Sequence, residues 1–175
     1  MIGKLLNRIT KALDDAEIPF MVSGSMALIV YTVPRMTRDI DIVIELKQED
    51  IERFCMIFKE GYYIDSLTVE EEVKRRGMFN VIDFETGYKI DFMVRKNNLY
   101  RKTEFERRVK GVVLGSETWL VTLEDLVISK LIWIQELQSD RQMSDIENLL
   151  ENPNIDMEYI HYWCSEMNLN TYKLF

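Results

Sequence analysis

Leu5, Leu6, Ile9, Leu13 and Ala16 recur at the spacing of one helix face, which predicts an amphipathic helix over residues 2–16, stopped by Pro19. Phe20, Met21 and Val22 form an apolar run that predicts a strand into the small-residue turn Ser23-Gly24-Ser25, and residues 26–31 then read as a short helix ending before Pro34. Residues 39–45 alternate strictly, so a strand is predicted with Ile40, Ile42 and Ile44 on its buried face and Asp39, Asp41 and Val43 on the other. Ile51, Phe54, Cys55 and Phe58 mark an amphipathic helix over 48–59, closed by Gly61. Segments 78–84 and 88–95 flank Glu85-Thr86-Gly87 as a hairpin whose second strand puts Lys89, Asp91 and Met93 on one face. Short edge strands are expected at 111–114 and 119–121, then three helices at 123–137, 142–150 and 156–167. The pattern predicts an α+β fold with a mixed sheet. It predicts one domain over 1–175, with a sheet-containing core (1–121) and C-terminal helices packed on it (122–175).

Composition narrows what such a domain does. The 175 residues are 47% hydrophobic with seven Gly and three Pro, enough apolar material for a real core and too little Gly or Pro for a disordered or fibrous chain. Thirty acidic residues against 22 basic ones give a net charge of −8, which disfavours a protein that coats duplex DNA. Cys55 and Cys164 lie far apart in no ligand spacing, and His161 is the sole histidine, so disulfide scaffolds, structural zinc and multi-histidine chemistry are not expected. Lys4, Arg8 and Lys11 interrupt any leader-like apolar core, and the longest uncharged run, residues 18–33, contains Pro19 and falls short of the ~20 residues of a membrane helix. A cytoplasmic protein with no membrane partner is expected.

The candidate chemistry starts from Asp39 and Asp41, two apart on one strand and therefore on one face. Asp91 has the same setting, between Ile90 and Phe92; if its strand lies near the first, three carboxylates converge. Like charges ~4 Å apart cost about 4 kcal/mol at an effective dielectric of ~20, a conflict that Mg²⁺ or Mn²⁺ resolves, and a pair of such ions can clamp a phosphoryl displacement. An Asp-x-Asp strand also suits an ordinary half-exposed sheet face. The Gly24-Ser25 turn upstream adds free backbone N–H groups and a hydroxyl suited to an anion, although Ser25 also suits a helix cap.

The run Val22-Ser-Gly-Ser-Met-Ala-Leu, then Pro34-Arg-Met-Thr-Arg-Asp39-Ile-Asp41-Ile-Val, and later Lys89-Ile-Asp91-Phe-Met resembles the polymerase-beta-like nucleotidyltransferase superfamily, and its wording is similar to small AbiEii-type toxins of toxin–antitoxin systems. The resemblance covers about 20–150. It implies a nucleotidyltransferase fold with a short mixed β-sheet flanked by helices and a C-terminal helical part. It further implies a catalytic and metal-binding set of Asp39, Asp41 and Asp91 holding two Mg²⁺ or Mn²⁺ ions, with Asp91 on the acceptor side. Gly24 and Ser25 would contact the NTP phosphates, and Arg35 would be structural or phosphate-facing. Thr32 stands near a position where relatives often have Gly, which puts the local backbone in question.

Lys130 lies on the apolar face set by Leu123, Val127, Leu131 and Ile134, where it must snorkel or meet an anion. AbiEii-like proteins carry a similar lysine and an aspartate about fifteen residues on, so Lys130 and Asp145 are candidate nucleotide-binding residues; Asp145 also suits a surface pair with Arg141. Residues 95–110 hold Arg95, Lys96, Arg101, Lys102, Arg107, Arg108 and Lys110 against Glu104 and Glu106, a window able to guide an RNA or tRNA acceptor or to act as a solvated surface. Transfer of an NMP to an acceptor hydroxyl is the reading these residues and the resemblance favour, with RNA, protein or an aminoglycoside-type small molecule as acceptor and a cognate antitoxin as a further partner. A nonenzymatic nucleotide- or protein-binding domain is the alternative.

Overall fold

In a computed structural model describing residues 1–175, the apolar stripe of α1 (Ile2–Asp15) buries Leu5, Leu6, Ile9 and Leu13, and the chain turns at Glu17, φ +54°, into β1 (Phe20–Ser23). β1 passes directly into α2 (Gly24–Tyr31). Thr32 ends this helix in extended backbone, φ −152°, which any residue adopts, and its hydroxyl donates to the Asn148 carbonyl; glycine is not needed there. β2 (Asp39–Ile44) buries Ile40, Ile42 and Ile44 as the alternation requires.

The expected 48–59 helix is a 3₁₀ turn at Gln48–Asp50 leading into α3 (Ile51–Ile57). A two-residue strand β3 (Tyr62–Tyr63) and α4 (Ser66–Arg75) follow, neither expected from the sequence. The α4 segment carries Glu70, Glu71, Glu72, Lys74 and Arg75 and only Val69 and Val73 buried among its apolar residues, so its periodicity is faint; its boundaries come from the Asp65 cap and from Arg76 at φ +52°.

The hairpin of β4 (Met78–Asp83) and β5 (Lys89–Val94) forms as expected. The basic window then folds into α5 (Leu99–Glu106), capped by Asn98, which places Tyr100, Glu104 and Phe105 inside. β6 (Val109–Val113) and β7 (Ser116–Leu120) pair across Leu114-Gly115, both left-handed, so this hairpin starts earlier and is tighter than the expected strands at 111–114 and 119–121. The chain ends in α6 (Leu123–Glu136), α7 (Asp140–Leu150) and α8 (Met157–Glu166).

The seven strands form one mixed sheet in the order β3-β4-β5-β2-β1-β7-β6. β1 is antiparallel to β2 and parallel to β7, and β2 is parallel to β5. One continuous core of 42 buried apolar residues runs from α1 through the sheet to Ile160, Trp163 and Cys164 of α8. On one side, Phe54 of α3 packs edge-on against Phe79 and Phe92, and Phe58, just past α3, against Phe92, at centroid distances of 5.1–5.5 Å. No helix is long and apolar enough to cross a membrane.

Candidate active site

The antiparallel pairing of β1 and β2 sets Ser23 beside Asp41, so the turn into α2 opens directly over that carboxylate. Gly24 has φ +53°, and a Cβ there would lie 2.0 Å from Asp41 Oδ2; only glycine fits both the backbone and the approach. The Ser25 N–H donates to Asp41 Oδ2 at 3.3 Å. A turn donor and a strand carboxylate are thereby held against each other.

The parallel pairing of β2 and β5 sets Asp41 beside Asp91 and Asp39 beside Lys89. Because residues two apart share a face, these four side chains occupy one patch of the sheet, three carboxylates and one ammonium. Lys89 Nζ lies 2.9 Å from Asp91 Oδ2. Burial pushes the Asp41 carboxyl above the usual range, the Ser25 N–H opposes that, and repulsion from Asp91 and Asp39 reinforces it. The three carboxylates do not close into a ready-made ligand cluster: Asp39 stands exposed at the outer end of the patch, and no three acidic, histidine or cysteine side chains meet at metal-ligand spacing. Their chemistry nevertheless fits a hard divalent cation, since they are all oxygen donors on adjacent rigid strands and have already drawn in an ammonium.

Behind the turn lies a buried ionic network. Arg35 donates through Nε to Asp145 Oδ1 at 2.9 Å and through Nη2 to both Asp145 Oδ2 and the Ser25 hydroxyl, each at 2.8 Å. Lys130 Nζ donates to Asp145 Oδ2 and Gln142 Oε1, both at 2.8 Å. Arg35 Nη1 is buried with no hydrogen-bond partner. Burial raises the Asp145 carboxyl, but the hydrogen bonds from Arg35 and Lys130 outweigh it and hold the group below the ordinary carboxylate range. Burial pulls Lys130 down despite Asp145. The alternative of Asp145 as a surface partner of Arg141 does not hold: Asp145 is buried, and exposed Arg141 donates to the Met36 carbonyl instead. Gln142 was invisible to sequence reasoning, because its role depends on the packing of α7 on α6.

The basic window is mostly absorbed by its own fold. Arg95 pairs with Glu45 at 2.5 Å, Arg101 with buried Glu104 at 2.8 Å, Arg107 with buried Asp125 at 3.1 Å, and Lys110 faces Asp14 at 4.0 Å. Arg108 lies over the rings of Phe105 and Trp119. Only Lys96 and Lys102 stand exposed without such partners. Asp125 is fully buried, accepts from Thr122, Tyr159 and Arg107, and ties α6 to α8; as one acid at a helix start, it gave no sequence signal of that burial. His161 lies exposed on α8, in keeping with a helix-face residue.

The fold recurs in solved structures. The antibiotic-resistance factor ANT(2'')-Ia is 13% identical with a TM-score of 0.66, over 95% of this chain and 90% of that one. The lincosamide antibiotic adenylyltransferase LnuA, in a lincomycin-bound structure, is 15% identical with a TM-score of 0.55, over 85% of this chain and 96% of that one. An antigenic nucleotidyltransferase-like protein from Paracoccidioides brasiliensis is 18% identical with a TM-score of 0.50, over 85% and 73%. No curated protein matches the chain in sequence. A family model does match, over residues 1–174, and with the glycine turn and the strand-borne carboxylates it settles the assignment: the chain belongs to the family "Nucleotidyltransferase of unknown function (DUF6036)" and is a nucleotidyltransferase.

Proposed function

We propose that the chain transfers an NMP from an NTP to the hydroxyl of a small-molecule acceptor, with divalent cations held by Asp39, Asp41 and Asp91. The observation that carries this reading is the shared register of three strands, which sets the Gly24-Ser25 turn over Asp41 and Asp41 beside Asp91. Bound Mg²⁺ or Mn²⁺ supplies charge neutralisation of the phosphates and a more acidic acceptor hydroxyl. The protein's own part is positioning. The Ser25 hydroxyl and the start of α2 would face the phosphates, while the Ser25 N–H is held by Asp41. The unpartnered Arg35 Nη1 provides a further donor, and Asp145 and Lys130 hold Arg35 in place. Positioning and charge stabilisation are the terms on which in-line phosphoryl transfer mainly depends.

A small-molecule acceptor is favoured over RNA because most cations of the 95–110 window are spent on the chain's own carboxylates and rings, which leaves little to track a phosphate backbone. The likeness in fold to a lincosamide adenylyltransferase points the same way. The test is incubation with α-labelled NTPs, Mg²⁺ and either a pool of hydroxylated small molecules or total RNA. Label in a small product together with pyrophosphate release supports the proposal, label in RNA replaces the acceptor class, and label in neither with any NTP refutes transfer to these acceptors.

A further inference from the structure

Lys89 belongs to the carboxylate patch by construction. Its strand position is directly across from Asp39 and two residues before Asp91, on the same face, and Asp41 is its diagonal neighbour. Its ammonium lies 2.9 Å from Asp91 Oδ2 with the lysine side chain 44% exposed and the aspartate 13%, so the contact closes the solvent side of the patch. Another cation, Lys130, is buried and committed to Asp145 and Gln142. Lys89 is thus the cation in contact with Asp91 at the solvent side of the patch.

Resting on the metal-dependent transfer reading, we propose that Lys89 is a built-in counter-ion that a divalent cation must displace from Asp91. The exchange has two consequences. Without metal, Lys89 stabilises the patch by relieving repulsion among three carboxylates. With metal, the same contact weakens binding at the acceptor side, because forming the Asp91–cation contact first breaks the Asp91–Lys89 contact. Lys89 therefore sets the metal concentration at which the site fills, and it does so as a positioning residue that swings outward along its exposed path.

The experiment is a Mn²⁺ titration of the full chain, followed by the electron paramagnetic resonance signal of free Mn²⁺ and by thermal unfolding, for the wild type and for Lys89→Met, Lys89→Arg and Asp41→Asn. Lys89→Met is expected to bind Mn²⁺ about fivefold tighter, near the upper end for a partly exposed ion pair. It should also melt lower than wild type without metal and recover with it. Lys89→Arg, which keeps the charge, should stay near the wild type. Equal or weaker Mn²⁺ binding by Lys89→Met, while the wild type binds and Asp41→Asn does not, overturns the counter-ion role and leaves the metal site standing. Mn²⁺ binding that Asp41→Asn leaves unchanged, or no binding by the wild type, overturns the metal-site reading and this inference with it. Should Lys89→Met fold poorly, Lys89→Gln keeps a hydrogen bond to Asp91 without the charge and is judged by the same outcomes.

Discussion

Replacing Asp145 by Ala tests whether the network behind the Gly24-Ser25 turn is structural capital or a surface decoration. Asp145 is 3% exposed and accepts three hydrogen bonds, two from Arg35 and one from Lys130, itself 5% exposed. Removing the only carboxylate leaves a buried ammonium with one neutral partner, Gln142, and a guanidinium with one, Ser25. Removing one partner of a buried pair costs about 3–5 kcal/mol, which for a chain of this size corresponds to a fall in Tm of roughly 6–20 °C. The assay is urea and thermal unfolding of Asp145→Ala, Lys130→Met and the double variant. The double should recover part of the loss, because Lys130 is no longer stranded, giving a coupling of about 1–3 kcal/mol. The pH dependence has a definite sign. The Asp145 carboxyl lies below its unfolded value, so its stabilisation is fully present above about pH 4 and is lost as pH falls through the lower folded value; the gap between wild type and variant should close in acid. A loss below about 1 kcal/mol, typical of an exposed ion pair, would refute the buried-network argument.

Asp41→Asn should abolish transfer yet stabilise the metal-free protein by about 1 kcal/mol at neutral pH, since it removes the like-charge conflict with Asp91. Burial and that repulsion raise the Asp41 carboxyl, so the wild type's deficit is absent below the unfolded value near 4 and grows as pH rises through the folded one, which urea titration at several pH values checks. Gly24→Ala should lose nucleotide binding in a calorimetric titration and destabilise by about 1–3 kcal/mol, whereas Gly87→Ala, also at positive φ but facing open space, should show only the backbone cost of about 1 kcal/mol. Arg101→Glu should unfold the protein, as judged by circular dichroism, because it sets a second carboxylate against buried Glu104; Lys96→Glu with Lys102→Glu should leave both the fold and small-molecule transfer intact at all salt concentrations.

Much of this site was legible because a strand writes its faces into the sequence with period two. Asp39, Asp41 and Asp91 could be assigned to faces from Ile40, Ile42, Ile90 and Phe92 alone, and Gly24 could be recognised from a strand that ends in small residues. The register between β2 and β5 could not, since parallel partners are brought together by a distant crossover and not by a turn. That is why the convergence of Asp91 with Asp39 and Asp41 is conditional in the sequence and definite only in the fold. Lys130 was identifiable as a charge on an apolar stripe, whereas its partners Asp145 and Gln142 lie on another helix with nothing local to pair them. The basic window shows more free charge in the sequence than in the fold for a related reason: Glu104 and Asp125, which neutralise Arg101 and Arg107, are buried by tertiary packing that a charge count along the chain does not register. α4 escaped notice because its short buried stripe is outweighed by charged residues.

The central claim is that the Gly24-Ser25 turn and the three strand carboxylates form one metal and nucleotide site. Calorimetric titration of a non-hydrolysable NTP, with and without Mg²⁺, into the wild type and into Asp39→Asn and Asp41→Asn tests it most directly. The account predicts that Mg²⁺ and the NTP each tighten the other's binding in the wild type and that either substitution removes this coupling while the variants remain folded. Undiminished coupling in both variants would contradict it.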